Sequence, residues 1–427
     1  MVWQIAAAVL FFALIMVSIA LHELGHFVPA KLFRVRVRQY FIGFGPNIWR
    51  TQKGETEYGL KGIPLGGYCA MVGMLPPYRE GKNTWLKRFA DAVREADWEH
   101  VLETDVENNR LFYQKPFWQR LLIMAGGVMT NLVLAFALFL GVNLAWGQPD
   151  PNHLTLTVSA VDECIDSSDP NEPCAQTPAV AAGIEPGDRV ASLNGTDVST
   201  YDEYKAAILT TLTVDGDKYS AADVTVGVDR PGQGVITLPS APGLVARFSD
   251  GEVRPYLGVY FESERVKVGP IGTLKDMGAM TWMSVQAIAK LPYYAWTTLR
   301  DLVTGAPRDP AGVMSVVGAA RVAGEVASTN VLDSQSKLYL YLYLLGSINL
   351  FVGLLNLVPL LPFDGGYVAA GVYGVIRSAW AKLRRKPDPG PVDAAKLQPV
   401  AYVVGGFLVL MGAILIVADI FTPIHVF

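Results

Sequence analysis

Charge is scarce in this chain. Only 17% of its 427 residues are Asp, Glu, Lys or Arg, while 51% are apolar. Average domains carry about 25% charged residues, so the shortage excludes an ordinary soluble globule and leaves a few membrane spans separated by polar regions. The formal net charge of −4 offers no positive surface for nucleic acid, which is not expected as a partner. The first apolar run lacks a basic n-region and a small-residue cleavage pattern, so it reads as a retained span. There is no internal repeat of the kind that marks transporters. Histidine is rare too, with five residues, and two of them stand together.

Four windows are long enough to cross about 30 Å of hydrocarbon, which takes roughly 20 residues. They are residues 1–27, 119–147, 336–361 and 398–422. Lys31, Arg34, Arg36 and Arg38 follow the first, and Lys115 and Arg120 precede the second. Arg377, Lys382, Arg384, Arg385 and Lys386 separate the third from the fourth. Four spans put all three groups on one side, the cytoplasmic side by the positive-inside rule. Both termini and residues 154–262 then lie outside. Cys164 and Cys174 fall in that outer region, where a disulfide persists, and bridging so short a loop would contribute about 2–3 kcal/mol. Cys69 stands alone inside.

Between the spans, 28–118 opens with strand-like sequence, "FIGFGPNIWRTQKGETEYGLKGIPLGGYCAMVGM", punctuated by Gly43, Gly45 and Gly54. Gly66-Gly67 permits close backbone approach. The reading is a membrane-associated β-hairpin or sheet, followed by a helical cytoplasmic insertion. Residues 154–262 form a separate domain. Its "AGIEPGDR" (182–189) and "LNG" (193–195) resemble a bacterial protease-associated PDZ domain, which would take an extended peptide or protein C-terminus by strand addition or act only as a spacer or size filter. Residues 271–305 are too charged for a fifth span and read as an interfacial amphipathic helix.

The first span contains "HELGH" (22–26). Ionisable groups at the centre of a membrane helix cost about 2.5–3.5 kcal/mol each, so chemistry is the reason to expect for them. Residues i and i+4 share a helical face, so His22 and His26 can present imidazole nitrogens to one Zn²⁺. Glu23 is placed to take a proton from water at that metal. A catalytic zinc needs a third protein ligand. Asp364, in "NLVPLLPFDGG" (356–366), is the acid near the end of span three, where Pro359 and Pro362 break the helix; it also suits an N-cap. Asn349 and Asn356 share a face. Such amides bond between helices or stabilise an oxyanion, and Asn356 is preferred for the second role.

With "GFGP" (43–46), "GETEYGLKGIPLGGY" (54–68) and the PDZ-like region, these motifs span nearly the whole chain. The chain resembles the site-2 protease family of intramembrane zinc metalloproteases, in particular the PDZ-containing bacterial members of the regulator of sigma-E protease kind. The resemblance implies a multi-pass protein of the bacterial plasma membrane with four transmembrane helices, a membrane-associated β region and one extracytoplasmic PDZ domain. It implies one catalytic Zn²⁺ held by His22, His26 and Asp364, with Glu23 as general base and Asn356 positioning the substrate. Gly43, Gly45, Gly66, Gly67 and Asn349 are expected on the substrate-binding side, with the hairpin holding substrate as an extended strand. The implied substrates are transmembrane segments of single-pass proteins, such as trimmed anti-sigma factors and remnant signal peptides. Two rival readings are a membrane scaffold with a vestigial metal site and a metal transporter.

Overall fold

A computed structural model describes residues 2–424, apart from 78–83, 163, 166–174, 216–217, 248–251, 307, 309–311, 330–331, 333 and 391. The chain divides into two units. One comprises Met1–Val142, Gly269–Ser328 and Lys337–Phe427; the other comprises Asn143–Val268 and Thr329–Ser336.

In the first unit, α1 (Val2–Leu32) leads into β1 (Val37–Lys53) and β2 (Thr56–Met71), followed by α2 (Trp85–Trp98) and α3 (Phe117–Trp146). The hairpin folds back on itself. Residues 39–42 of β1 pair with 57–60 on one side and with 67–70 on the other, so the two long strands make a curled, four-segment sheet. Gly43 and Gly45, at φ +87° and +80°, take the conformation that glycine adopts without strain where β1 changes direction. At the turn, Glu55 accepts from Lys31 Nζ at 2.8 Å and Arg110 Nη2 at 2.5 Å, which ties the hairpin to the end of α1. Phe44, Ile48, Trp49 and Ile63 leave an exposed apolar surface on the sheet.

The crossing of α1 and α3 is set by two glycines. A Cβ on Gly126 would lie 1.9 Å from the Gly25 carbonyl oxygen, and one on Gly25 would lie 2.4 Å from that of Gly126. Only glycine lets the two backbones approach this closely.

The second unit is a β-rich fold built from β3 (Gln148–Val161), β4 (Arg189–Leu193), α4 (Tyr201–Leu209), β5 (Val226–Arg230), β6 (Gly234–Thr237) and β7 (Val259–Val266). These strands order as β6-β5-β4-β3-β7, with Thr196–Asp197 added to β4. Val158, Val190, Val226 and Val228 are fully buried, and Tyr204 and Ile208 of α4 pack on them. Thr200 and Glu203 start α4 with a reciprocal capping box, which satisfies first-turn amides. Asp188 accepts from the Glu185 amide at 2.9 Å and from Arg230 at 2.8 and 2.7 Å. The expected Cys164–Cys174 bridge lies outside the described residues, since they include neither Cys174 nor the side chain of Cys164; Cys69 is free.

The first unit resumes with α5 (Pro270–Ala289), α6 (Leu291–Thr304), α7 (Val316–Ser328), α8 (Ser334–Asn356), α9 (Asp364–Leu383) and α10 (Gln398–Phe421). The stretch expected as one interfacial helix is thus two, and Met277 and Met280 of α5 pack on Ala135, Phe139 and Leu350 rather than facing outward. Asp364 opens a twenty-residue helix, α9, between the third and fourth long apolar helices. Helix α7 carries no strong hydropathy signal, yet its Ala319, Ala320 and Ala323 pack on Phe11 and Ile15 of α1. Arg308 and Asp419, both almost fully buried, pair at 2.5 Å and tie the chain before α7 to the end of α10. Among the described residues, four helices are long and apolar enough to cross a membrane: Val2–Leu32, Phe117–Trp146, Ser334–Asn356 and Ala394–Phe421.

Candidate active site and metal centre

Helical spacing puts His22 and His26 one turn apart on α1, where both are buried, and their Nε2 atoms lie 3.3 Å apart. The third member comes from far along the chain. After α8 ends at Asn356, residues 357–363 reverse direction and Asp364 opens α9. The two glycines that follow let this turn close: a Cβ on Gly365 would sit 2.3 Å from the Leu357 carbonyl oxygen, and one on Gly366 would sit 2.6 Å from the Leu361 nitrogen. Phe363, not Asp364, is the N-cap. The carboxylate is therefore spared capping duty, and Asp364 Oδ2 lies 3.4 Å from His22 Nε2 and 3.2 Å from His26 Nε2.

Proton positions make this triangle informative. His26 Nδ1 is 2.8 Å from the Ile123 carbonyl oxygen of α3. A carbonyl only accepts, so Nδ1 carries the proton and neutral His26 presents a lone pair at Nε2. The carboxylate oxygen facing it is also an acceptor. His22 Nδ1 bonds nothing in the protein, and in the Nδ1–H tautomer His22 presents a third electron pair at Nε2, a convergence that a cation satisfies. Tetrahedral zinc with N and O ligands at about 2.0–2.2 Å has ligand-to-ligand edges of about 3.3–3.6 Å, and sides of 3.2–3.4 Å match that size. The residues fit one zinc ion, and His22, His26 and Asp364 form the single such group among the described residues.

Gly127 keeps the metal side of the imidazoles clear. A Cβ there would lie 2.3 Å from His26 Nε2 and 2.8 Å from His22 Nε2.

Around the triangle is a cavity of about 470 Å³ whose lining includes Glu23, Gly66, Gly67, Asn349 and Asn356. Gly43 and Gly45 are not part of that lining. Glu23 is buried beside the second half of β2: the Cys69 amide donates to its carboxylate, and a Cβ on Gly67 would come within 3.0 Å of its Cγ. Asn349 lines the cavity with its Nδ2 engaged between helices. Its Nδ2 donates to Ser18 Oγ at 3.2 Å and to the Leu345 carbonyl at 2.8 Å, which joins α8 to α1.

Sequence reasoning missed three participants. Asn131 on α3 is buried, lines the cavity, and has an Oδ1 without a hydrogen-bond partner. An amide within an apolar span was its available signal. The roles of Gly127 and the Ile123 carbonyl follow from backbone geometry and cannot be read from residue type alone.

Comparison with known proteins agrees with this chemistry. A model of peptidase family M50 matches residues 10–387. The chain is 31% identical to zinc metalloprotease Rip1 of Mycobacterium tuberculosis (strain H37Rv), with 99% of each chain covered. It is 29% identical to Rip1 of Mycolicibacterium smegmatis over 98% of each. Metalloprotease MmpA of Caulobacter vibrioides is 25% identical, over 92% of this chain and 90% of that one.

Proposed function

This chain belongs to peptidase family M50, the site-2 protease family of membrane zinc metalloproteases; from that premise we propose that it cleaves transmembrane segments of single-pass proteins with His22, His26 and Asp364 as zinc ligands and Glu23 as general base. The observation that carries the reading is the triangle of electron-pair donors at 3.2–3.4 Å with Glu23 on the same cavity.

Bound zinc supplies Lewis acidity toward a scissile carbonyl and lowers the pKa of water at the site to about 7. Glu23 follows His22 directly on the helix; its carboxylate takes the proton of the attacking water and returns it to the leaving amine. Gly67 and the Cys69 amide keep that carboxylate in one position. Asn356, at the last turn of α8, donates from its amide to the developing oxyanion. Peptide hydrolysis also requires an unwound substrate. Residues 66–68 of β2 border the cavity and receive substrate as an added strand, which replaces the hydrogen bonds lost when its helix opens.

The second unit is read as a PDZ domain, on the strength of its sheet, α4 and the 182–189 turn, with a peptide or protein C-terminus as its ligand. The Lys and Arg distribution supports a plasma-membrane protein with both termini and this domain outside. Anti-sigma factors already trimmed outside, and remnant signal peptides, are the substrate class that fits.

The test measures zinc content and cleavage of a single-pass transmembrane substrate in proteoliposomes, for wild type, His22→Ala, Asp364→Asn and Glu23→Gln. His22→Ala and Asp364→Asn lose zinc and cleavage together, whereas Glu23→Gln keeps zinc and loses cleavage. Wild-type zinc affinity in Asp364→Asn, or zinc-loaded wild type that leaves every transmembrane substrate uncut, overturns the reading.

A further inference from the structure

The first unit holds a second cavity, of about 700 Å³, framed by the start of α3, by α9 and by the chain just after α9. Its lining combines apolar side chains, Phe117, Leu121, Val368 and Val375 among them, with three cations, Arg120, Lys382 and Lys386. One acid, Asp388, lines it, and that carboxylate already accepts from Ser378 Oγ at 2.9 Å and the Gly390 amide at 2.8 Å. Arg120 Nε is buried without a hydrogen-bond partner, and none of the three cations makes an ion pair among the described residues. A buried N–H without an acceptor is costly, and an anion in the cavity would supply one.

The surroundings select the kind of anion. Val375 and Ile376 of α9, and Trp118 and Leu122 of α3, are exposed apolar side chains flanking the cavity, and α3 is long and apolar enough to cross a membrane. A soluble phosphate gains nothing from such walls. A phosphate carrying an acyl chain suits both parts of the lining. We propose that this cavity binds an anionic phospholipid, with its phosphate among Arg120, Lys382 and Lys386 and an acyl chain along Phe117, Leu121 and Val375. The inference does not depend on the peptidase reading, so either can fail alone.

The full-length protein in detergent is titrated with phosphatidylglycerol or phosphatidylcholine, and bound lipid is counted by native mass spectrometry for wild type, Arg120→Gln and Lys382→Gln/Lys386→Gln. Phosphatidylglycerol is retained selectively, and its retention weakens about fivefold for each cation removed, while phosphatidylcholine adducts stay unchanged. Inorganic phosphate and glycerol phosphate do not displace it. The two lysines are exposed, so their variant carries the test if Arg120→Gln does not fold. Equal retention by wild type and the lysine variant overturns the proposal. Displacement by inorganic phosphate also overturns it, by assigning the cavity to a soluble anion.

Discussion

Replacing Gly127 with Ala adds one methyl group, placed 2.3 Å from His26 Nε2 and 2.8 Å from His22 Nε2. Atoms of this kind pack at about 3.5 Å, so the closer overlap is about 1 Å. Neither partner yields easily: His26 is held by the Ile123 carbonyl, and α3 is pinned to α1 at Gly25 and Gly126. Zinc distances tolerate only about 0.2 Å of error. A ring or helix shift several times that size lowers zinc affinity by about 10–100-fold, the range for disturbed supporting contacts, or about 1.4–2.8 kcal/mol. Folding changes less, because overpacking of about 1–3 kcal/mol is partly offset by the helix preference of Ala over Gly, about 0.8–1 kcal/mol. Gly141→Ala is the matched control. It makes the same chemical change on the same helix, where the added Cβ meets nothing within 4 Å. Competition against a chromophoric chelator, with a melting curve for each variant, measures both quantities. If Gly127→Ala binds zinc as tightly as Gly141→Ala, the imidazoles do not face α3 as described and the reasoning fails.

Gly126→Ala at the helix crossing drives a methyl group into the Gly25 carbonyl, and its melting temperature in detergent falls with a loss of at least about 3 kcal/mol. Asn349→Ala, which removes the amide bonded to Ser18 and Leu345, destabilises the fold by about 1–2 kcal/mol and leaves KM for a transmembrane substrate within about twofold; a large KM change with normal melting would restore its expected substrate role. For Asp188, burial pushes its pKa up, but Arg230 and the Glu185 amide outweigh that and hold it below the ordinary carboxylate value. Its contribution is therefore complete above the unfolded pKa of about 3.9 and is lost as pH falls through the lower folded value. Asp188→Asn costs the second unit about 2–4 kcal/mol at neutral pH and flattens its acid dependence, as read by hydrogen exchange at the Val158 and Val190 amides.

The centre of the site was legible because helix geometry is local. Two histidines at i and i+4 must share a face, and an acid after a Pro-broken span has few roles. Asn356 and Gly66-Gly67 were also legible as polar or backbone-permissive positions beside apolar runs, and they line the triad's cavity. What sequence did not disclose depends on which faces meet. Gly127 stood out only as a departure from the family's usual Pro, and its place against the imidazoles follows from how α3 packs on α1. Asn349 and Asn356 are equivalent by spacing, and only the neighbouring Ser18 distinguishes them. Helix α7 escaped notice because its contacts are made by Gly and Ala, which signal weakly in hydropathy yet allow close packing. Helix α9 begins at Asp364, and its basic residues, Arg377 and Lys382, mark topology in its second half while the apolar face before them carries no distinctive motif.

The hydrogen bond from His26 to Ile123 has an evolutionary side. Its acceptor is main chain, so no substitution at position 123 can delete it. Most supporting contacts of a catalytic group can be lost in one mutational step. This one is shielded from such loss as long as α3 remains a helix in its place, and the tautomer of His26 is inherited with the backbone instead of with any side chain.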